Sequence, residues 1–90
     1  MKKLIFYSHL IIVKKKSQLE IYSPEKSVLY CFNNSAYFII RELFKNRKKI
    51  KIITNLKKKY NISFTKAKKD YNLFINDLKK KDLIIPYKGI

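Results

Sequence analysis

The sequence is poor in cysteine, histidine, glycine and acidic residues, and each shortage excludes a class of site. Cys31 and His9 are the single cysteine and the single histidine of 90 residues, so the chain offers neither an internal disulfide nor a Cys/His metal site. With Gly89 as the single glycine, a glycine-rich phosphate loop is excluded. The six acidic residues are scattered, and His9 has no obvious carboxylate partner. We therefore expect no enzyme activity, no catalytic residue, no metal and no cofactor.

The same shortages bear on location. We expect Cys31 to be a half-buried small apolar residue, and a lone cysteine suits the reducing cytoplasm. Leu4–Tyr7 follow two lysines and faintly resemble a signal peptide, but no small-residue cleavage site follows them. No run approaches the roughly 18 apolar residues of a membrane span. We predict a soluble, unprocessed, cytoplasmic single domain over residues 1–90 with no membrane partner, in which residues 1–9 have no clear assignment.

What the chain has in abundance is positive charge. Twenty-two basic residues against six acidic ones give a net charge of +16, which attracts nucleic acid, anionic membranes or acidic peptides. All of the basic residues except Arg41 and Arg47 are lysines, which lack the planar fork with which arginine grips guanine or phosphate. An AT-rich genome would also explain many lysines, although it would not explain the scarcity of Asp and Glu.

The first third of the chain has the pattern of β-strands. Leu10–Val13 is an apolar, β-branched run, and Leu19–Tyr22 alternates in character. The turn Ser23–Lys26 follows, with Pro24 fixing the reversal, and then Val28–Phe32. We predict three antiparallel strands, of which the last two form a hairpin.

Both faces of the third predicted strand are apolar. Val28, Tyr30 and Phe32 share one face by two-residue alternation, and Leu29 and Cys31 share the other. A strand of this kind is either sandwiched within a sheet or open to a partner.

The rest of the chain has the 3.6-residue periodicity of three helices. The cap cluster Asn33–Ser35 opens the first helix, and the third runs from about Phe64 to Lys81 with Ser63 as its N-cap. Leu83–Ile85 close the domain before Pro86. The predicted buried stripes are Ala36, Ile39, Ile40, Leu43 and Phe44, then Ile50, Ile53, Leu56 and Tyr60, then Ala67, Tyr71, Phe74, Ile75 and Leu78. For the second helix, Ile52 with Leu56 is a rival register.

The order and spacing of these pieces resemble the PqqD-like family, also called the RiPP precursor peptide recognition element. The family has a turn with Pro or Gly, a strand, and an Asn-x-Thr/Ser-Ala cap that opens a helix. The corresponding pieces here are Ser23–Lys26, Val28–Phe32 and Asn33–Ala36. Without a gap, the later pieces match as Tyr60–Ser63, then Asp70, Phe74 and Leu78, then Asp82–Ile84.

The resemblance covers about residues 10–85 and has two departures at turns. Lys45–Lys48 stands where the family has an Asp-Gly turn, and Asp82 stands where the family usually has glycine. These departures put the loop geometry in question rather than the fold.

The resemblance implies an α+β, winged-helix-like fold in which a three-stranded antiparallel sheet precedes three helices. It also implies a function, the binding of the leader segment of a ribosomally made precursor peptide. The leader adds as a strand to the third β-strand, in a cleft against the third helix. A separate enzyme, such as a radical SAM enzyme, a protease or a cyclase, then modifies the core peptide.

The residues agree with such a site. An exposed strand edge carries unpaired main-chain groups that a visiting peptide can complete. On the third helix Leu73 falls outside the core arc, where it can wall a cleft. The expected peptide-binding residues are Ser27, Val28, Leu29, Tyr30, Cys31 and Phe32 on the strand, with Lys66, Lys69, Asp70, Leu73 and Asp77 on the helix. The alternatives are that the strand is central in its sheet and that Leu73 is an ordinary exposed leucine.

A rival function from another class is nucleic-acid binding by a winged helix. Three helices and a net charge of +16 fit that function. Against it, the third helix has no arginine, Asp70 and Asp77 lie on its flank, and too few residues follow Lys81 for a wing hairpin. A homodimer through the same strand edge also remains open, and it would compete with the peptide.

Overall fold

Three antiparallel strands precede three helices, as the sequence predicts. The computed structural model describes residues 6–85. The elements are β1 (Ile11–Lys14), β2 (Gln18–Ser23), β3 (Val28–Asn33), α1 (Asn34–Phe44), α2 (Lys49–Tyr60) and α3 (Phe64–Lys80). The strands form one sheet in the order β1-β2-β3, and the helices cover one of its faces. The predicted α+β class and element order are confirmed.

The hairpin between β2 and β3 is set by its turn. Pro24 supplies a fixed backbone angle, the Ser27 amide donates to the Pro24 carbonyl at 3.3 Å, and Ser27 takes a left-handed φ of 55°. Ser23 then lies opposite Val28, and the pairing continues without a bulge to Gln18 opposite Asn33. This register places alternate residues of both strands on the helix-facing side.

The helices bury most of the predicted stripes. On α1 the buried apolar residues are Ile39, Ile40 and Leu43, and on α3 they are Ala67, Tyr71, Ile75 and Leu78. Ser63 caps α3 as predicted, its hydroxyl accepting from the Lys66 amide at 3.1 Å. At the start of α1 the helix begins at Asn34, but the Asn33 side chain makes no capping hydrogen bond.

The second helix takes the rival register. Ile52, Ile53 and Leu56 are buried, whereas Ile50 is 58% exposed and Tyr60 is exposed as well. At about 100° per residue the three buried side chains fit one arc of about 100°, and Ile50 lies outside it. The predicted stripe that included Ile50 and Tyr60 is therefore wrong.

A buried carboxylate that the sequence analysis overlooked ties α1 to α2. Glu42 is 4% exposed, accepts from Asn55 Nδ2 at 2.6 Å and pairs with Arg47 Nε at 3.1 Å. A buried charge needs such partners, because leaving it unpaired in the interior is costly. Glu42 therefore fixes the turn between the two helices.

The two departures from the family pattern lie at left-handed residues. Asn46 has a φ of 58° in the turn after α1, and Asp82 has a φ of 54° after α3. Asn and Asp tolerate this region better than other residues with a side chain, although glycine enters it most easily. Both turns therefore keep the backbone conformation that favours glycine.

The N-terminal segment belongs to the core from Phe6 onward. Phe6 is buried, forms a β-bridge with Ile84, and its ring centroid lies 5.0 Å from that of Phe44. The sequence analysis left residues 1–9 unassigned, since a pairing across the whole chain leaves no local pattern. The predicted stop at Pro86 and the signal-like residues 1–5 lie outside the described residues. None of the helices within residues 6–85 combines the length and apolarity required to cross a bilayer.

Candidate binding groove

β3 is an edge strand. Among residues 6–85 it pairs with β2 alone, so one side of its backbone faces away from the sheet. The alternative of a central strand is therefore wrong for the described part of the chain.

The register shows which main-chain groups of β3 face outward. The Lys15 amide donates to the Gln18 carbonyl at 2.8 Å, so Gln18 directs its main-chain groups toward β1. Because this direction alternates along an antiparallel strand, Leu19, Ile21 and Ser23 direct theirs toward β3. Their partners Phe32, Tyr30 and Val28 are thereby bonded to β2. The N–H and C=O groups of Leu29 and Cys31 point to the open edge.

Helix α3 runs beside β3 in the opposite direction. In the middle of β3, the Lys81 ammonium lies 5.4 Å from the Tyr30 ring centroid. Two residues further along β3, the rings of Phe32 and Phe74 meet edge to face at 5.8 Å. Past the end of β3, a cavity of about 220 Å³ lies between the start of α1 and the first turns of α3, with Asn34, Ser35, Lys66 and Asp70 in its lining. We take the surface between the strand edge and the helix, which these rings line, as the candidate groove.

The α3 side of this groove is a single stripe of side chains at helical spacing. At 100° per residue, Lys66, Asp70, Leu73, Asp77 and Lys81 fall within about 80° of one another. Two ion pairs lie along it: Lys66 Nζ to Asp70 Oδ2 at 3.4 Å and Lys81 Nζ to Asp77 Oδ2 at 2.5 Å. Between the pairs Leu73 is 59% exposed, an apolar side chain between two neutralised carboxylates. We call the β3 edge, this stripe and the rings of Tyr30, Phe32 and Phe74 the β3–α3 groove.

One end of the β3–α3 groove is closed by Lys26. Its ammonium lies 2.9 Å from Asp82 Oδ2 and donates to the Lys81 carbonyl at 3.3 Å, which joins the β2–β3 turn to the end of α3. The hydrogen bond to Asp82 raises the pKa of Lys26 above its ordinary value of 10.5. Lys26 therefore stays charged at neutral pH and holds the two walls together.

Most of the residues predicted for the site lie along this groove. Ser27 to Phe32 occupy the turn end and length of β3, with Val28, Tyr30 and Phe32 facing the helices and Leu29 and Cys31 facing the opposite side. Lys69 is exposed and lies further round α3, on the solvent side of the stripe. The helical wall therefore consists of the other four predicted positions together with Lys81.

Two expectations about single residues are wrong. Cys31 is exposed rather than half-buried, because it lies on the outer face of an edge strand. His9 does have a carboxylate partner, since its Nε2 lies 3.8 Å from Glu25 Oε2. Both of these side chains are exposed, and within residues 6–85 no three His, Cys, Asp or Glu side chains converge as metal ligands would.

Sequence analysis missed the parts of the groove that come from packing between elements. The helical pattern predicts Phe74 to be a core residue, and only the fold shows that its ring contacts the ring of Phe32. Lys26, Lys81 and Asp82 sit among many similar charges, so no local pattern distinguishes them. Lys26 and Lys81 are 55 residues apart in sequence, which hides their contact.

Comparison with known proteins agrees with this architecture. The sequence profile of the family described as "Coenzyme PQQ synthesis protein D (PqqD)" matches residues 20–84. A solved structure, "TbiB1 in complex with the TbiA(beta) leader peptide", superposes with a TM-score of 0.86 at 12% identity, covering 93% of this chain and 98% of that one. A search of curated proteins found no match. Since the family profile spans β2 through Ile84, which is more than half of the sequence, the chain belongs to the PqqD family.

Proposed function

We propose that the β3–α3 groove binds the leader segment of a ribosomally synthesised precursor peptide as a fourth strand on β3. The protein then presents this leader to a separate modifying enzyme and carries out no chemistry itself. The observation that carries the proposal is the outward direction of the Leu29 and Cys31 main-chain groups, beside the aromatic rings of the candidate groove. The solved structure of similar fold contains a leader peptide, which supports the same use of this fold here.

The groove offers the two kinds of interaction that an added strand requires. Leu29 and Cys31 each supply one donor and one acceptor, which bind a peptide backbone without regard to its sequence. The rings of Tyr30 and Phe74 and the exposed Leu73 accept apolar side chains and thereby select the sequence. A micromolar complex needs about −8 kcal/mol, which a few buried anchors and strand pairing supply after ordering costs.

The charge of the chain acts mainly on the rate of encounter. Each of the six acidic side chains lies within 4 Å of a Lys, Arg or His side chain, and the whole sequence carries a net charge of +16. Such a field attracts an acidic leader, while each exposed pair adds at most about 1 kcal/mol to affinity. We therefore expect a leader with apolar anchors and a surplus of Asp and Glu.

Proline scanning of the two edges tests strand addition directly. Proline is tolerated where the replaced amide faces away from the sheet, so Cys31→Pro should fold. It removes one donor offered to the leader, and we expect about tenfold weaker binding, since a net hydrogen bond contributes about 1 kcal/mol and the ring crowds the incoming strand. Binding is measured by anisotropy of a labelled leader, taken from the precursor that we expect a neighbouring reading frame to encode.

The other edge of the sheet supplies the control. Lys14 lies on β1 with its amide facing outward, by the same alternation that applies to β3. Lys14→Pro should leave leader affinity within about twofold. Equal affinity in the Cys31→Pro and wild-type proteins, both folded by circular dichroism, would contradict strand addition on β3.

A titration followed by nuclear magnetic resonance locates the site independently. The leader should shift the amide signals of residues 27–32 and of residues 66–77, and shifts confined to other regions would reject the groove. Random duplex DNA is the second titrant, because a net charge of +16 favours nucleic-acid binding on electrostatic grounds. Tight duplex binding at 0.15 M salt with no response to the leader would replace the proposed function by its rival.

A further inference from the structure

The sheet face that points away from the helices is apolar across all three strands. Ile11, Tyr22 and Leu29 lie opposite one another in one row, and Val13, Glu20 and Cys31 form the next. The exposed fractions of Ile11, Val13 and Leu29 are 53%, 45% and 55%. We call the five side chains Ile11, Val13, Tyr22, Leu29 and Cys31 the outer face.

This outer face is a connected patch rather than scattered apolar residues. Single exposed leucines or isoleucines need no explanation, whereas contiguous apolar patches mark contact sites. Glu20, the acidic residue among these rows, is neutralised: its Oε2 lies 3.0 Å from Lys15 Nζ and 3.8 Å from Cys31 Sγ. The centre of the outer face therefore carries no unpaired negative charge.

The surroundings of the outer face indicate the chemistry of its partner. A stable protein interface buries about 800 Å² on each side, more than five partly exposed side chains provide. The partner must therefore also contact the rim, where Lys16 is exposed at the β1–β2 turn and Lys15 is paired with Glu20. Together with the net charge of +16, this rim favours a partner whose apolar patch is ringed by Asp and Glu. A second copy of this chain would carry the same net charge of +16, so the two copies would repel each other.

The outer face is continuous with the proposed leader site. Leu29 and Cys31 belong to the outer face by their side chains and to the open edge by their main-chain groups. A leader strand added to β3 would extend the sheet by one more row and place alternate side chains beside Leu29 and Cys31. A protein seated on the outer face would therefore touch the bound leader as well.

We propose that the outer face docks the modifying enzyme itself, through an acid-ringed apolar patch on that enzyme. This inference rests on the proposed function, and it adds a second surface, distinct from the β3–α3 groove, that recruits the enzyme. Leader binding and enzyme docking then share β3 but use different atoms of it. Enzyme affinity should rise when the leader is bound.

The test uses the full chain, its leader and the purified enzyme that modifies the precursor. The variant Ile11→Thr/Tyr22→Thr makes the outer face polar on β1 and β2 and keeps β-compatible residues away from the β3 edge. Ile50→Thr removes an equally exposed isoleucine from α2 and is the control. We measure the Kd of the leader-loaded protein for the enzyme by calorimetry, the Kd of the leader by anisotropy, and the molar mass by sedimentation.

The expected result is enzyme binding at least tenfold weaker in the double variant, with wild-type binding in Ile50→Thr and leader affinity unchanged in both. Raising the salt concentration should also weaken the wild-type complex with the enzyme. Unchanged enzyme affinity in a double variant that still binds leader would overturn the outer face while leaving the groove intact. If the wild-type protein is a dimer and the double variant is a monomer, the outer face is instead an interface between two copies of this chain. If the double variant loses leader affinity tenfold, the outer face belongs to the leader site. If the wild-type protein binds no leader at all, the proposed function itself is rejected.

Discussion

The two edges of the sheet differ in their protection against another strand. β1 contributes four residues and runs directly into the lysine run Lys14–Lys16. β3 contributes six residues, Val28–Asn33, and none of them is charged. Short length and lysine are the devices by which proteins prevent edge pairing. Although the chain has 22 basic residues, none of them lies on β3. A strand that accepts an added peptide strand requires an edge of this kind.

The contrast extends to the neighbouring elements. Beside β1, the Lys14 ammonium lies over the Phe44 ring at 5.0 Å. Beside β3, Phe74 approaches from α3, and the exposed Leu73 lies next to it on the same helix. Equivalent substitutions on the two sides should therefore have similar effects on stability and different effects on binding.

The largest expected effect tests which amides of β3 bond to β2 and which point to the open edge. Tyr30→Pro removes an amide that bonds to β2, and proline at such a position breaks a hydrogen bond of the sheet ladder. Cys31→Pro and Lys14→Pro replace outward amides and should cost less than half as much in the free energy of unfolding. Urea denaturation followed by circular dichroism measures all three. Equal losses for Tyr30→Pro and Cys31→Pro would show that the assigned direction of the β3 amides is wrong.

The next effect compares the ring of Phe74, which lies beside β3, with the ring of Phe44, which lies beside β1. Phe74→Leu removes the ring that contacts Phe32, and we expect leader affinity to fall about tenfold, equivalent to about 1.4 kcal/mol. Phe44→Leu removes the ring beside β1 and should leave affinity unchanged. Both variants should lose about 1 kcal/mol of stability, since they lose comparable ring contacts. If both variants lost leader affinity equally, the loss would reflect general destabilisation rather than a contact in the groove.

A smaller effect is expected when two equally exposed apolar residues are compared, one beside the groove and one on α2. Leu73 is 59% exposed beside the groove and Ile50 is 58% exposed on α2. Leu73→Ser should weaken leader binding about fivefold, since an anchor on a groove wall contributes about 1 kcal/mol. Ile50→Ser should not, and both should leave the melting temperature nearly unchanged. If Ile50→Ser weakens binding as much as Leu73→Ser, the α3 wall is not the specific surface.

The smallest effect is that of pH on the closed end of the groove. The folded-state pKa of Lys26 is raised, so the stabilisation by its contact with Asp82 is complete below pH 10.5 and is lost as the pH rises through the folded value. We therefore expect the wild-type protein to melt slightly higher than Lys26→Met at pH 7, with the difference vanishing once the pH exceeds the raised folded-state pKa. Thermal melts across that range measure it. A difference that persists at high pH would assign the effect of Lys26 to packing.

The elements with a local pattern could be predicted from the sequence. The stripe Ile39, Ile40 and Leu43 predicts α1, Ser63 predicts the start of α3, and Pro24 predicts the hairpin. Each of these rests on residues within four positions of one another, which is the range over which helix and turn geometry act.

The remaining features depend on contacts that no local pattern contains. Phe6 joins the core by pairing with Ile84, nearly the length of the chain away. Ile50, Ile52 and Ile53 are equally apolar, so only packing against the other helices selects the buried pair. Within the site, the family resemblance implied the third strand and the third helix, and their role in binding stays a prediction. The local pattern contains no direction for the β3 amides, because that direction is set by which pairs of the β2–β3 ladder are hydrogen-bonded.

Hydrogen exchange at the outward amides tests the central claim most directly. In the free protein the amides of Leu29 and Cys31 should exchange rapidly, while those of Tyr30 and Phe32 are protected by β2. With saturating leader, the Leu29 and Cys31 amides should become protected and the outward amide of Lys14 on β1 should not. Leu29 and Cys31 amides that are protected before the leader is added, or that remain unprotected when it is saturating, would contradict the account.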